Sequence, residues 1–250
     1  MVGTGRGSNY NAYEYIGFGA DPSIAAEQME EAEDLLVKAW TTDNLDFQGK
    51  YWQASFPMVR PRPYQKPHPP LARACQQDES IIEMAKIGRP VLLRGGSINV
   101  TGEKIRLYRD TMAASGFSEE AVEKNLDQIW VWREMHVAET DGQALDEFLP
   151  AHLQAYLKME EFRQEWNPKD ASMSVQGRPM DKSGYGRSPN PTASENLVGS
   201  PIRVAEQVAL MRDVGVRNLM LTNRGLVPNE KAALSLRLLS EKVMPQFKKT

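Results

Sequence analysis

Segments with the residue pattern of β-strands alternate with segments typical of α-helices along most of the chain. Because two strands joined through a helical crossover run in the same direction, this alternation predicts a parallel sheet covered by helices. We count about five such units, which would form either an open doubly wound sheet or the larger part of a (β/α)8 barrel. A complete barrel needs ~250 residues for its eight units, and this chain divides 250 residues among fewer units.

The predicted strands are rich in β-branched, aromatic and other apolar residues. After the opening glycines they are "PLARAC" (70–75), "RPVLLRGG" (89–96), an alternating segment at 128–140 and "VRNLMLT" (216–222). The proline-rich segment 60–70 is interpreted as an extended lead-in to the first of them, with a polyproline ligand as the alternative. Two short alternating runs around Gly49 predict a small antiparallel hairpin.

Two helix starts are marked by a capping residue followed by proline. Asp21–Pro22 predicts a helix over 22–41, and Ser200–Pro201 predicts one that ends at Asp213. Apolar residues at helical spacing predict two more long helices, at about 141–166 and 229–248. The aromatic-rich segment from Tyr10 to Phe18 is predicted to be a loop.

Composition and charge exclude several classes of protein. A net charge of −3 gives no general attraction to nucleic acid or to an anionic membrane. The sequence contains no run of 18 apolar residues, so we predict no membrane span. The N-terminal residues also lack the pattern of a secretory signal. The single Cys75 cannot form an internal disulfide, so we expect a cytoplasmic protein.

The opening "GTGRG" places Arg6 among glycines, a combination that suits close approach to an anion. A dinucleotide-binding turn would need a helix with small residues directly afterwards, and "SNYNAYEY" does not supply one. A phosphate-binding Walker loop is also absent, because no G-K-[ST] occurs. A plain turn and a phosphate site both remain open for this segment.

A second candidate follows the strand at 70–75. In "CQQDES", Gln77 and Ser80 are predicted to lie in the first turn of a helix, where unpaired N–H groups favour an anion; a simple N-cap is the alternative. Ligands of parallel α/β proteins bind at the carboxyl ends of the strands. An arginine and a helix N-terminus that meet at this edge, as Arg6 with Gln77 and Ser80 would, form a candidate site for one phosphate, with the plain turn and the simple N-cap as the alternatives.

Other chemical patterns are weak. His68, His136 and His152 lack metal-ligand spacing, so we expect them to be structural or exposed, and no metal site is predicted. Trp130 and Trp132 are interpreted as core or as a pocket wall. The polar loop at about 167–196 is long enough to be a lid, with a disordered insert as the alternative. In a lid, Arg178 and Arg187 would close over a polar or anionic substrate; otherwise their charges would simply be solvated.

Four stretches resemble the luciferase-like flavin-dependent monooxygenases, the superfamily of bacterial luciferase. They are "GTGRGSNYNAYEYIGFG", "FQGKYW…VRPRPYQKPHPPLARA", "DESIIEMAKIG" and "VGSPIRVAEQVALMRDVGVRNLML…LRLLSEKVMPQF". The resemblance covers residues 3–248 and implies an α/β fold of the (β/α)8 TIM-barrel type over residues 1–250. Within it, "VGTGRG" would end the fourth barrel strand, so we expect the first three βα units to be missing.

The resemblance also implies chemistry. Reduced FMN would be bound through its phosphate by Arg6, Gln77 and Ser80, with F420 as the alternative cofactor, and would react with O2 to oxygenate a small organic substrate. Catalytic side chains are not assigned, because the family carries them on strands with no counterpart here. A second copy of the chain or a flavin reductase would be the protein partner. The alternative function is a non-catalytic, truncated paralogue or fragment acting through a partner chain.

Overall fold

The computed structural model describes residues 1–7, 11–94, 96–168, 196–223 and 227–247. These residues form two compact units. The first consists of residues 1–74 with 162–168, and the second of residues 75–161 with the described residues from 196 onwards.

The first unit begins with a short parallel strand pair. Its elements are β1 (Val2–Thr4), α1 (Ala12–Gly17), α2 (Ala25–Thr41), β2 (Leu45–Gln48), β3 (Gln53–Phe56) and β4 (Leu71–Cys75, to Ala74 in this unit). In the parallel pair, Val2 of β1 lies opposite Leu71 of β4. β2 and β3 are antiparallel, with Gln48 opposite Gln53, which confirms the hairpin predicted around Gly49.

Helix α1 corrects the prediction of a loop between Tyr10 and Phe18. The segment is held by contacts with residues distant in sequence rather than by helix propensity. Tyr15 is buried and its hydroxyl donates to the Arg6 carbonyl at 2.6 Å. The Tyr13 N–H donates to Asn167 Oδ1 at 3.0 Å.

A buried ion pair joins α2 to β4 within the first unit. Arg73 donates through Nε to Glu33 Oε1 at 3.1 Å and through Nη2 to Oε2 at 2.6 Å. The hydroxyl of Thr4, on β1, donates to the same carboxylate. The side chains of Arg73 and Glu33 are 6% and 2% exposed, so this pair is removed from water.

The second unit is built around a central parallel strand. Its elements are α3 (Asp78–Lys86), β5 (Val91–Arg94), α4 (Ile98–Ala114), α5 (Glu119–Leu126), β6 (Trp130–Val137), α6 (Asp141–Trp166, to Glu161 in this unit), β7 (Leu197–Gly199), α7 (Pro201–Asp213), β8 (Asn218–Thr222) and α8 (Asn229–Leu238). Helix α8 continues as a wider π-helical turn and a final 3-10 turn. β6 pairs in parallel with β5, β7 and β8, which confirms an α/β fold with a parallel sheet.

Helices cover this sheet because their apolar residues recur at helical spacing. Buried side chains of α3, α4, β6 and α7 form one core, with members such as Ile81, Met84, Met112, Val131 and Met211. Serines at the N-caps of α4, α5 and α7 each accept a hydrogen bond from the main chain of the first turn, at 3.3 Å. The short strand β7 was not predicted, since three residues give no pattern of their own. Among the described residues, no helix is long and apolar enough to cross a membrane.

Candidate functional site

The glycine loop after β1 exposes the first predicted site residue. The side chain of Arg6 is exposed, while its carbonyl oxygen is held by the Tyr15 hydroxyl. Gly7 has φ +88°, and a Cβ on it would lie 3.1 Å from Tyr15 Oη. A side chain at residue 7 would therefore strain the loop that presents Arg6.

The second predicted pair lies at the start of α3. Gln77 is the exposed N-cap residue and its side chain makes no capping hydrogen bond, whereas Ser80 is half-buried in the first turn. Asp78 and Glu79 also belong to this turn and are exposed. The starts of α4, α5 and α7 are capped by serine side chains, whereas the start of α3 has no side-chain cap. The N–H groups in the first turn of α3 therefore keep their capacity to bind an acceptor.

A buried lysine fixes the connection between β4 and α3. Lys104, on the inner face of α4, donates from Nζ to the Gln76 carbonyl at 2.6 Å. Burial lowers the pKa of Lys104, the charge of Asp78 raises it, and the charge of Arg133 lowers it further. Sequence analysis missed this residue, although it lies in register with the buried Tyr108 and Met112 of α4.

The predicted residues are therefore divided between the units. Arg6 belongs to the first unit, and Gln77 and Ser80 belong to the second, where they share one helical turn. Arg178 and Arg187 lie outside the described residues, as does most of the predicted lid at 167–196. A shared phosphate site formed by Arg6, Gln77 and Ser80 stays a prediction.

A small cavity of about 20 Å³ lies in the second unit, and we call it the β6–α6 cavity. Its lining consists of Glu134, Phe148, Ala151, His152, Ala155, Asn223 and Val227. Nδ1 of His152 lies 2.7 Å from Oε2 of Glu134, and both side chains are about 5% exposed or less. The His152 ring packs against that of Phe148, with 5.3 Å between centroids.

A second buried histidine pairs with the same helix. His136 of β6 is fully buried, and its Nε2 donates to Glu147 Oε2 at 2.8 Å. Lys231 and Gln143 both lie 3.1 Å from the other oxygen of Glu147. Burial alone would raise the pKa of Glu147, but hydrogen bonds from His136, Gln143 and Lys231 outweigh it and lower the pKa to about 2.

Neither pairing was predicted from the sequence. His136 and His152 were expected to be structural or exposed, and both are buried beside a glutamate. The spacing of residues in α6 could have shown that His152 is buried, because it follows Ala144 and Phe148 at intervals of four residues on the same face of the helix. No group of three or more His, Cys, Asp or Glu side chains among the described residues is arranged to hold a metal ion.

Replacement of Glu147 by glutamine is expected to lower the free energy of unfolding at pH 7 by about 1–3 kcal/mol. Because the folded-state pKa of about 2 lies below the ordinary 4.5, this contribution is complete above pH 4.5 and is lost as the pH falls towards 2. Urea unfolding at pH 7 and pH 3 measures it, and the difference between wild type and variant should shrink at pH 3. Glu139→Gln, which changes an exposed pair with Lys242, is the control and should have an effect below about 0.5 kcal/mol. An equal loss at both pH values would contradict the assignment.

Comparison with known proteins places the chain in a family. A sequence profile of the luciferase-like monooxygenases matches residues 2–218. One curated relative, the uncharacterized protein y4wF of Sinorhizobium fredii, is 35% identical over 79 residues, which are 32% of this chain and 22% of that protein. The matched stretch thus spans about a fifth of this relative's length.

Solved structures share the fold at low sequence identity. Monooxygenase RslO1 from Streptomyces bottropensis superposes with a TM-score of 0.70 at 21% identity, over 99% of this chain and 68% of its own. The oxygenating constituent of 3,6-diketocamphane monooxygenase from Pseudomonas putida, in complex with FMN, gives 0.63 at 17% identity, over 90% and 64%. The F420-dependent tetrahydromethanopterin reductase of Methanopyrus kandleri gives 0.63 at 15% identity, over 99% and 74%.

These likenesses establish the fold, and the profile match establishes the ancestry. The parallel α/β architecture described above is that of the luciferase-like proteins, as the resemblance of four sequence stretches implied. Since the profile covers most of the residues from β1 to the start of β8, the chain belongs to the luciferase-like monooxygenase family.

Proposed function

We propose that the chain is a flavin-dependent oxidoreductase that uses reduced FMN and O2 to oxygenate a small organic substrate. The observation that carries the proposal is the start of α3, which follows β4 without a side-chain cap. Family membership and the FMN complex of the Pseudomonas putida relative support it.

The residues present suit a phosphate group. The exposed Arg6 guanidinium can donate two parallel hydrogen bonds to phosphate oxygens. The first-turn N–H groups of α3 and the Ser80 hydroxyl offer further donors, and the helix dipole favours a negative charge at this end. The exposed carboxylates of Asp78 and Glu79 are screened by solvent, so binding would depend on these directed donors more than on net charge.

Bound reduced FMN would supply the electrons with which O2 is activated for transfer of one oxygen atom to the substrate. The residues of this chain would bind and orient. Lys104, by holding the Gln76 carbonyl, would keep the β4–α3 connection in the shape that directs the first-turn N–H groups outwards. The hydrogen bond from the Tyr15 hydroxyl to the Arg6 carbonyl oxygen would likewise hold the loop that carries the Arg6 side chain.

F420 is the alternative cofactor, supported by the F420-dependent reductase of Methanopyrus kandleri among the similar structures. Both cofactors carry a phosphate, so the same donors would serve either. Parallel titrations with FMN and F420, each oxidised and reduced, would separate the two. The tighter ligand identifies the cofactor.

Arg6→Ala is expected to weaken FMN binding about tenfold or more, because a hydrogen bond to a charged group contributes ~1.5–3 kcal/mol and each 1.4 kcal/mol is a factor of ten. Flavin fluorescence during titration of the full chain measures the change. Arg237→Ala, which removes an exposed arginine from α8, is the matched control and should bind like wild type.

Two results would oppose the proposal. Unchanged affinity in Arg6→Ala would remove Arg6 from the phosphate site. Absence of saturable binding to the folded chain, with either cofactor, would favour the non-catalytic alternative that acts through a partner chain.

A further inference from the structure

A row of leucines runs along the exposed side of α6. Leu145, Leu149, Leu153 and Leu157 follow one another at intervals of four residues, so they form one ridge on the surface of the helix. Leu145 and Leu153 are each 40% exposed, Leu157 is 56% exposed, and Leu149 is half-buried. We call these four residues the α6 leucine ridge. Single exposed leucines are normal in proteins, whereas apolar side chains that adjoin one another on the surface mark an interaction site.

The ridge extends beyond the apolar surface that the fold itself buries. The buried row of α6 lies beside it and contains Ala144, Phe148 and His152. Leu149 packs against the small core cluster around Phe148, so the ridge is anchored at its centre. Leu236 of α8 is 55% exposed as well, but no other exposed leucine adjoins it one turn away. The ridge is therefore more than a scattered set of surface leucines.

The ridge matches a second copy of itself when the two helices run in opposite directions. Its positions are symmetric about residue 151, so Leu145 of one copy lies opposite Leu157 of the other. Leu149 likewise lies opposite Leu153. A two-fold interface requires such a match, because both copies use the same patch of surface. Ridges formed at intervals of four residues pack into each other's grooves at a crossing angle of about −50°, the commonest arrangement of packed helices.

Charges beside the ridge favour the antiparallel direction. The adjoining row of α6 has Asp146 at one end and Lys158 at the other, and both are exposed. Antiparallel helices bring Asp146 of each copy towards Lys158 of the other, whereas parallel helices would bring like charges together. Lys158 also pairs with Glu161 at 2.9 Å, but both side chains are more than half exposed, so this pair can rearrange at little cost. Asp141 and Glu161 lie beyond the leucines, where helices that cross at this angle diverge.

We propose that the α6 leucine ridge binds the same ridge of a second copy of the chain. The two α6 helices would be antiparallel, with Asp146 of each copy paired with Lys158 of the other. A single pair of crossed helices is expected to bury less than the ~1,200 Å² typical of stable complexes, so monomer and dimer should be in reversible equilibrium. The inference goes beyond the proposed function and does not rest on it, because the candidate phosphate donors lie outside the ridge.

Sedimentation equilibrium of the full chain measures the association directly. The mean mass of wild type is expected to rise from that of the monomer towards that of the dimer as protein concentration increases. Leu153→Glu places a carboxylate that would lose its hydration at the centre of the interface, and it should raise the dissociation constant about tenfold or more. Leu236→Glu makes the same change at the exposed leucine of α8 and should leave the constant unchanged. Circular dichroism confirms that both variants are folded.

Exchange of the two charges tests the direction of the helices. Asp146→Lys and Lys158→Asp each create like charges at both ends of the antiparallel interface, and each should raise the dissociation constant about threefold or more. The double variant, which carries both substitutions, restores opposite charges and should return to within about twofold of wild type. The effect of each single variant should also shrink at high salt, because exposed charges are screened.

Several outcomes would overturn the inference. They are a mass that stays monomeric at every concentration, a dimer whose affinity Leu153→Glu leaves unchanged, and equal losses in Leu153→Glu and Leu236→Glu. Failure of the double charge variant to recover would refute the antiparallel pairing. A monomeric wild type that loses stability in Leu153→Glu would assign the ridge to a contact within the chain. If FMN binds as expected and the chain stays monomeric, this inference fails while the proposed function stands.

Discussion

Glu33→Ala is expected to lower the free energy of unfolding by about 3–5 kcal/mol, because it leaves the Arg73 guanidinium buried without its carboxylate. The pair has two hydrogen bonds, at 2.6 and 3.1 Å, and almost no exposure to solvent. The variant also removes the acceptor of the Thr4 hydroxyl. Urea unfolding followed by circular dichroism measures the change.

The matched control lies on the same helix. Asp34→Ala breaks the pair between Asp34 and Lys38, whose side chains are about half exposed. Exposed pairs of this kind contribute ~0.3–0.5 kcal/mol, so the control should be close to wild type. A double variant, Glu33→Leu with Arg73→Met, should recover most of the lost stability because no buried charge remains. Equal losses in Glu33→Ala and Asp34→Ala would show that burial of the pair does not determine its contribution.

Ile81→Ala is expected to cost about 2–5 kcal/mol, the usual range for removing a large aliphatic side chain from a packed core. Ile81 of α3 has no solvent exposure and packs in the main core of the second unit. Since α3 carries Gln77 and Ser80 at its start, we also expect weaker FMN binding if the helix shifts. Thermal unfolding and the FMN titration measure the two effects.

An exposed isoleucine next to the same helix provides the comparison. Ile87, the residue after α3, is 57% exposed, and Ile87→Ala should change stability by no more than about 0.5 kcal/mol. Both substitutions remove the same atoms, so their difference isolates the contribution of burial. Similar effects at Ile81 and Ile87 would mean that α3 does not depend on the core contacts described here.

The architecture was largely predictable, because apolar spacing reports which face of an element is buried. The strand at 128–140 and the helices at 141–166 and 201–213 correspond to β6, α6 and α7. The helix expected from residue 22 begins at Ala25, since the Asp21 carboxylate accepts from the Ser23 N–H and forms a turn there. Helix α1 escaped prediction because it depends on contacts such as that between Tyr15 and Arg6.

The candidate site was predictable only where loops follow strands. Ser80 lies in the first turn of a helix, as the position of "CQQDES" after a strand predicted, whereas Gln77 precedes that turn as the N-cap residue. Glu134 and His152, by contrast, are 18 residues apart on a strand and a helix, and no local spacing indicates that they meet. Their pairing depends on how α6 packs against β6, which is a property of the folded unit.

The central position of β6 has a consequence for how the second unit exchanges hydrogen with solvent. Residues 130–134 are in register with β8 and residues 135–137 with β7, and Val137 also donates its N–H to the Ser235 hydroxyl. Fraying from one end cannot release these amides without separating other strands as well. The slowest amide exchange in the unit is thus expected along β6, where it reports the cooperative opening of the whole unit instead of local motion.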